Sequence, residues 1–275
     1  MMEKIVPPDD VLQQYFDGER TVANVKNFYV LTLARSGSHA FINWILAHYD
    51  EPKALYNNVD PLLLYDKQSL WDYWDRDLYK NFPTISQVCS ASVLSFEDQN
   101  IYTVYSKLSQ YDKIFGDAKH KQFLFLMRDP FNLFASRIKC SCKGIVMDKN
   151  VVLLWKKYAN STWQSGTNIF ASYNDWFISK DYREELEERL GFNGASRCND
   201  YSEIMNTVSE YGLGSSFDGL RYQDQGSSMD VLNRWKSCVN DPYYMSLFDD
   251  EIIDLSEQMF GESEASEYIR NHKRI

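Results

Sequence analysis

Residues Phe123-Leu124-Phe125-Leu126-Met127 are five apolar side chains in a row, and Arg128-Asp129-Pro130 follows at once. A run of that kind reads as a strand buried on both faces, the environment of a parallel sheet covered by helices. Asp129 is a good N-cap and Pro130 suits the first helical position, so a helix starts directly after the strand. Arg128 then stands at the carboxyl tip of a strand beside a helix N-terminus. Ser136 lies about two turns into that helix at ~1.5 Å per residue. Open sheets of this class bind ligands at the carboxyl ends of their strands.

The same grammar occurs earlier. Phe28-Tyr29-Val30-Leu31-Thr32-Leu33 favours a strand and runs into Ala34-Arg35-Ser36-Gly37-Ser38-His39. From Ala40 to Tyr49, Phe41, Ile42, Ile45, Leu46 and Tyr49 make the apolar stripe of a helix. Free N–H groups in its first turn and the helix dipole favour an anion there. Arg35 adds a forked cation that suits phosphate or sulfate. Taken alone, Ala34 to Ala40 fits an ordinary strand-turn-helix with a surface Arg equally well.

Further strands are expected at Lys53–Asn58, at Val93–Phe96 and at Asn168–Tyr173. Glu97-Asp98 follows the second of these. Ile101, Val104, Tyr105, Leu108 and Tyr111 form a helical stripe closed by Phe115-Gly116, and Val151, Val152, Leu154, Trp155 and Tyr158 another. Asp181 with Glu184 resembles a capping box for a helix that Gly191 stops. Residues 193–227 read as a loop or flap, Ser228–Ser237 and Phe248–Phe260 as short helices, and the tail as polar. Trp71 to Asp77 interleaves aromatics with acids, which suits either a surface helix or a platform for a hydroxylated ligand. The expected architecture is α/β, a single domain with a central, mostly parallel five-stranded sheet flanked by helices. Residues 1–27 are an extension with one short helix on Val11, Leu12, Tyr15 and Phe16, and 28–275 the domain proper.

Composition narrows the partners. A net charge of −10 disfavours a general nucleic-acid binder but leaves room for a local basic pocket. No stretch approaches the ~20 apolar residues of a membrane span, and the N-terminus lacks an apolar signal region, so a cytoplasmic protein is expected. The five cysteines are an odd number, which suggests reduced thiols. Only Cys140 and Cys142 are close, and no second pair completes a metal site, so no metal is expected.

The turn Arg35-Ser36-Gly37-Ser38 after a strand, followed by Arg128-Asp129-Pro130 with Ser136, resembles the sulfotransferases that use 3′-phosphoadenosine 5′-phosphosulfate (PAPS). The resemblance continues at Phe170-Ala171-Ser172-Tyr173 before the helix ending Leu190-Gly191, and at Val231-Leu232-Asn233-Arg234-Trp235-Lys236. It covers most of residues 28–261 and implies the P-loop-like sulfotransferase fold, with PAPS as sulfate donor. In that family the first turn binds the 5′-phosphosulfate, which here implies Arg35, Ser36, Gly37, Ser38, His39 and Ala40. The Arg…Ser pair that holds the 3′-phosphate corresponds to Arg128 and Ser136. Arg221, Ser227 and Ser228 fall where family members close over that phosphate.

Cytosolic members usually carry Lys where Arg35 stands; Arg there is similar to tyrosylprotein and bacterial carbohydrate-type enzymes. Thr often stands where His39 does. The catalytic His of many cytosolic members has no counterpart, and Glu97 and Asp98 occupy its region as candidate bases. In-line sulfuryl transfer would have Arg35 stabilise charge on the leaving phosphate while Glu97 takes the acceptor's proton. His39 offers either its backbone N–H alone, or its ring as sulfate ligand or base. Arg137 and Lys139 are either surface charges or contacts to the adenosine end. The acceptor class stays open between a small molecule, with carbohydrate favoured, and other hydroxyl compounds; oligomeric state is silent. A nucleotide kinase or NTPase is the rival enzyme, although no G-x-x-x-x-G-K-[ST] is present. A PAPS- or PAP-binding protein without catalysis is the other alternative.

Overall fold

The computed structural model describes residues 23–50, 52–61, 88–140, 145–162, 168–192 and 225–273. The readings of Val11–Phe16, of Trp71–Asp77 and of most of 193–227, Arg221 included, lie outside the described residues. Strands β1 (Ala23–Thr32), β2 (Lys53–Tyr56), β3 (Ala91–Glu97), β4 (Asp117–Met127) and β5 (Ile169–Ser172) form one sheet in the order β2-β3-β1-β4-β5. In the β2–β3 pair, which is parallel, Lys53 lies opposite Ala91 and Tyr56 opposite Leu94. Helices α1 (Ser38–Ala47), α2 (Ile101–Ser106), α3 (Leu108–Phe115), α4 (Pro130–Lys139) and α5 (Lys149–Thr162) make the connections between strands. After β5 come α6 (Tyr173–Ile178), α7 (Lys180–Leu190), α8 (Pro242–Met245), α9 (Asp250–Phe260) and α10 (Glu264–His272). The class is α/β, a mostly parallel five-stranded sheet flanked by helices, as the alternation of patterns predicts.

The chain clusters into two compact units, one of residues up to Leu31 with Tyr49–Leu124, the other of Thr32–His48 with Phe125 onward. In the first, β1 starts at Ala23 rather than Phe28. Asn24 and Asn27 weaken the strand signal because asparagine is depleted in strands. Both are buried and satisfied here: Asn27 Nδ2 donates to Gly116 O at 2.8 Å, and Cys89 N to Asn24 Oδ1 at 3.1 Å. Ser92 Oγ completes the network by donating to Asn27 Oδ1. Strand β4 likewise starts early, at Asp117, and its exposed first half is tied by Lys121 to Asp112 and Asp117, each at 2.7 Å.

In the second unit Phe41 and Trp44 of α1 meet Trp176 of α6 edge-on. Three expectations are corrected here. The helix expected to start from an Asp181/Glu184 box is α7, capped instead by Ser179, whose Oγ accepts from Tyr182 N at 3.1 Å. Ahead of it lies α6, because Ser172 Oγ takes Asp175 N and turns the chain into a helix directly after β5. Residues 228–237 are not one helix but two separate 3₁₀ turns, Gly226–Ser228 and Arg234–Ser237. The backbone between and within them is claimed from outside by one side chain: Asn132 Nδ2 donates to Leu232 O at 3.0 Å, ahead of the second turn, and Asn132 Oδ1 accepts from Trp235 N inside it at 3.3 Å. The polar tail contains α10, started by a reciprocal Ser263/Ser266 cap and anchored by buried Ala265 and Ile269. Ser266 stands where a Glu or Gln would have announced that capping box.

Candidate anion-binding site

The second unit brings two helix starts and four arginines together. Helix α1 begins at Gly37, which has φ 85 and caps it with no side chain. The first-turn N–H groups therefore present their partial positive charge without a competing side-chain acceptor. Arg35 precedes it at φ 76. A left-handed non-glycine residue costs ~1–3 kcal/mol and persists only where its surroundings over-determine it. Gly37 is obligatory at its position: an added Cβ would lie 2.1 Å from Tyr173 Cε2. Ser38, His39 and Ala40 are the first residues of α1, so their main-chain N–H groups lie in its first turn.

Arg128 leaves the end of β4 and is 1% exposed. Its Nη1 donates to Arg35 O at 3.3 Å and to Ser136 Oγ at 3.4 Å, and its Nη2 to Val231 O. Every one of these acceptors is neutral. The adjacent carboxylate, Asp129, is occupied elsewhere: it caps α4 through Asn132 N at 2.8 Å and accepts from Asn174 Nδ2 at 2.9 Å. Among the described residues Arg128 has no ion-pair partner, and its Nε has no hydrogen-bond partner. Burial draws its pKa below the ordinary arginine value; Tyr173 and Asp129 push back, and Arg35 adds to the lowering. Its guanidinium lies 5.3 Å from the centre of the Tyr173 ring. Trp155 Nε1 holds the Arg128 carbonyl at 3.0 Å, so the strand end is fixed as well.

Ser136 is buried on α4 and accepts a second guanidinium, Arg234 Nη1, at 3.0 Å. Among the described residues neither Ser36 Oγ nor His39 Nε2, both buried atoms, has a hydrogen-bond partner. A buried hydroxyl and a desolvated guanidinium N–H left open next to an uncapped helix start favour binding of an anion.

Arg128 lies against Arg35, which leads into Ser36 and Gly37, and against Ser136. Arg234 and Tyr173 join them; both stood inside quoted motifs, yet neither had been given a role. Arg137 is not the surface charge that was one of its two readings. It is 2% exposed and turned toward main-chain carbonyls, Ala34 O and Val146 O. Ser228 is exposed in its 3₁₀ turn, and Ser227 shares that turn. Glu97 ends β3 in the other unit and Asp98 follows at φ 57. Among the described residues no cluster of His, Cys, Asp and Glu could hold a metal, and no helix is long and apolar enough to cross a membrane.

No family model matches the chain, and no curated protein does. Among solved structures it is similar to the crystal structure of mouse sulfotransferase SULT7A1 complexed with PAP. The identity is 12%, the match covers 97% of this chain and 95% of that one, and the TM-score is 0.49. No residue role carries over at that level.

Proposed function

We propose that this chain binds PAPS and transfers its sulfuryl group to a hydroxyl of a small-molecule or glycan acceptor. The observation that carries the reading is Arg128, a guanidinium removed from water whose acceptors among the described residues are all neutral. Burying an unpaired charge is costly, and a bound anion removes much of that cost. An uncapped helix start and an unpartnered serine hydroxyl stand close by, so the ligand should carry two anionic groups. A nucleotide with separate 3′ and 5′ acidic groups fits that donor set.

In this reading Arg128, Ser136 and Arg234 hold the 3′-phosphate, the last being a residue added by the structure. Ser36, the N–H groups from Gly37 to Ala40 and the His39 ring hold the 5′ end. When bound, PAPS supplies the sulfuryl group. Arg35 stabilises negative charge that develops on the leaving phosphate; preorganised donors of this kind are worth about 10²–10³ in rate. Glu97 is the base in this proposal on its place in the sequence, at the end of β3, with Asp98 as the alternative. Arg221, Ser227 and Ser228 stay proposed as contacts that close over the 3′-phosphate. The protein is proposed to work in the cytoplasm, without a metal.

The test is thermal. The melting temperature should rise with 3′-phosphoadenosine 5′-phosphate (PAP), and Arg128→Ala should abolish the rise. A shift with ATP–Mg²⁺ and none with PAP would overturn the proposal in favour of an NTPase. Transfer of labelled sulfate from PAPS into a metabolite extract then separates an enzyme from a binding protein, and Glu97→Gln should bind PAP normally but lose turnover.

A further inference from the structure

The left-handed backbone at Arg35 has a cause in the residue one place beyond Ser136. The Ala34 carbonyl accepts from Arg137 Nη1 at 3.1 Å, and the Arg35 carbonyl accepts from Arg128 Nη1 at 3.3 Å. The two peptide planes that flank Arg35 are thus each held by a buried guanidinium, with Arg35 between them at φ 76. Ser36 N–H, which donates to Leu33 O at 3.1 Å, closes the turn. The other edge of Arg137 is fixed too. Its Nε and Nη2 both donate to Val146 O, at 2.9 and 2.6 Å, which locks the plane of the fork and aims Nη1 at the loop.

Without Arg137 the Ala34 carbonyl loses this guanidinium bond, and Arg35 can relax toward the negative φ that a non-glycine residue prefers. That relaxation rotates the peptide leading into Ser36 and Gly37, and with it the start of α1. We infer that Arg137 is a positioning residue that fixes the Ala34–Arg35 peptide and so presents the α1 N-terminus and Arg35 to the 5′ end of the ligand. The inference rests on the two-anion reading of the site and adds a control on one half of it only. Arg137 need not touch the ligand.

Binding measurements suffice, since PAP and adenosine 3′-monophosphate differ only by the 5′-phosphate. Calorimetric Kd values for both are compared in wild type, Arg137→Met and Arg137→Lys. The ratio of the two Kd values reports on the 5′ cradle, and a residue that merely stabilises the fold would lower the melting temperature without moving it. The expected result is a wild-type preference for PAP that falls at least about tenfold in Arg137→Met, while the 3′-monophosphate Kd changes by less than about threefold. Lysine cannot fork to both carbonyls, so Arg137→Lys should fall between. Where the Met variant fails to fold, the Lys ratio alone decides. A wild-type ratio in the folded variants overturns the role of Arg137 and leaves the nucleotide reading standing. A wild-type protein that binds both nucleotides equally overturns the 5′ cradle and this inference together.

Discussion

Arg128 and Lys156 are both largely buried cations of the second unit, and they are satisfied in opposite ways. Lys156 Nζ bridges Asp249 Oδ2 and Glu251 Oε2, each at 2.6 Å, and so ties α5 to the start of α9. Burial alone would lower its pKa, but those two bonds outweigh it and hold the ammonium above the ordinary value. Arg128 is more deeply buried, has carbonyls and a hydroxyl as acceptors, and titrates below its ordinary value. The lysine is a finished structural pair. The arginine is a charge held ready: Asp129 and Tyr173 offset its desolvation only in part, and among the described residues no carboxylate pairs with it. A buried ion pair is weak evidence for function because the fold needs it satisfied; an unpaired one at a helix start is stronger evidence.

Exchange at these two positions should break the comparison most sharply. Arg128→Met should weaken PAP binding by two orders of magnitude or more, about 3 kcal/mol, read by calorimetry. A variant that keeps its affinity would make Arg128 a structural residue like Lys156. Gly37→Ala comes next, because its methyl meets the Tyr173 ring and its φ 85 disfavours a side chain. A loss of about 2–3 kcal/mol in denaturant unfolding is expected, with weaker PAP binding. Lys156→Met should cost about 1 kcal/mol, since both carboxylates stay solvated, and should leave the PAP Kd unchanged.

The smallest effect concerns pH. Burial would raise the Asp249 carboxyl, but Lys156 and the Ile252 N–H hold it below its ordinary value of 3.8. Its contribution is therefore full above that value and is lost as pH falls through the lower folded-state value. The raised Lys156 contributes fully below 10.5 and is lost as pH rises through its folded-state value. In Lys156→Met a plot of melting temperature against pH should lose a little slope at both extremes and none near neutrality. Equal slopes in variant and wild type would remove the pair from the stability of the fold.

Much of this was legible in advance where a single local cause is sufficient. Asp129 caps α4 and Pro130 starts it because both effects act within one turn of helix. Gly116 and Gly191 end α3 and α7 at positive φ for the same reason. The start of β1, the two 3₁₀ turns at 226–237 and the Ser179 cap were not legible. In the first two, distant groups supply the partners: Gly116 for Asn27, and Asn132 for Leu232 and Trp235. The cap was ambiguous because Ser179 and Asp181 are both good capping residues, and only the path out of α6 chooses between them.

The sequence by itself determined the five strands, the main helices between them, the strand-turn-helix that starts α1 and the placing of Arg128 at a strand tip. Hydrophobic period, capping chemistry and backbone preference are short-range, and they are written in neighbouring residues. Only the tertiary structure decided which charges are paired and which are left open. Asp129 stands beside Arg128 in the chain yet spends its oxygens on Asn132 and Asn174, while Arg234, 106 positions away, arrives at Ser136. Electrostatic partnership depends on distance and burial in space, and neither is a property of sequence spacing.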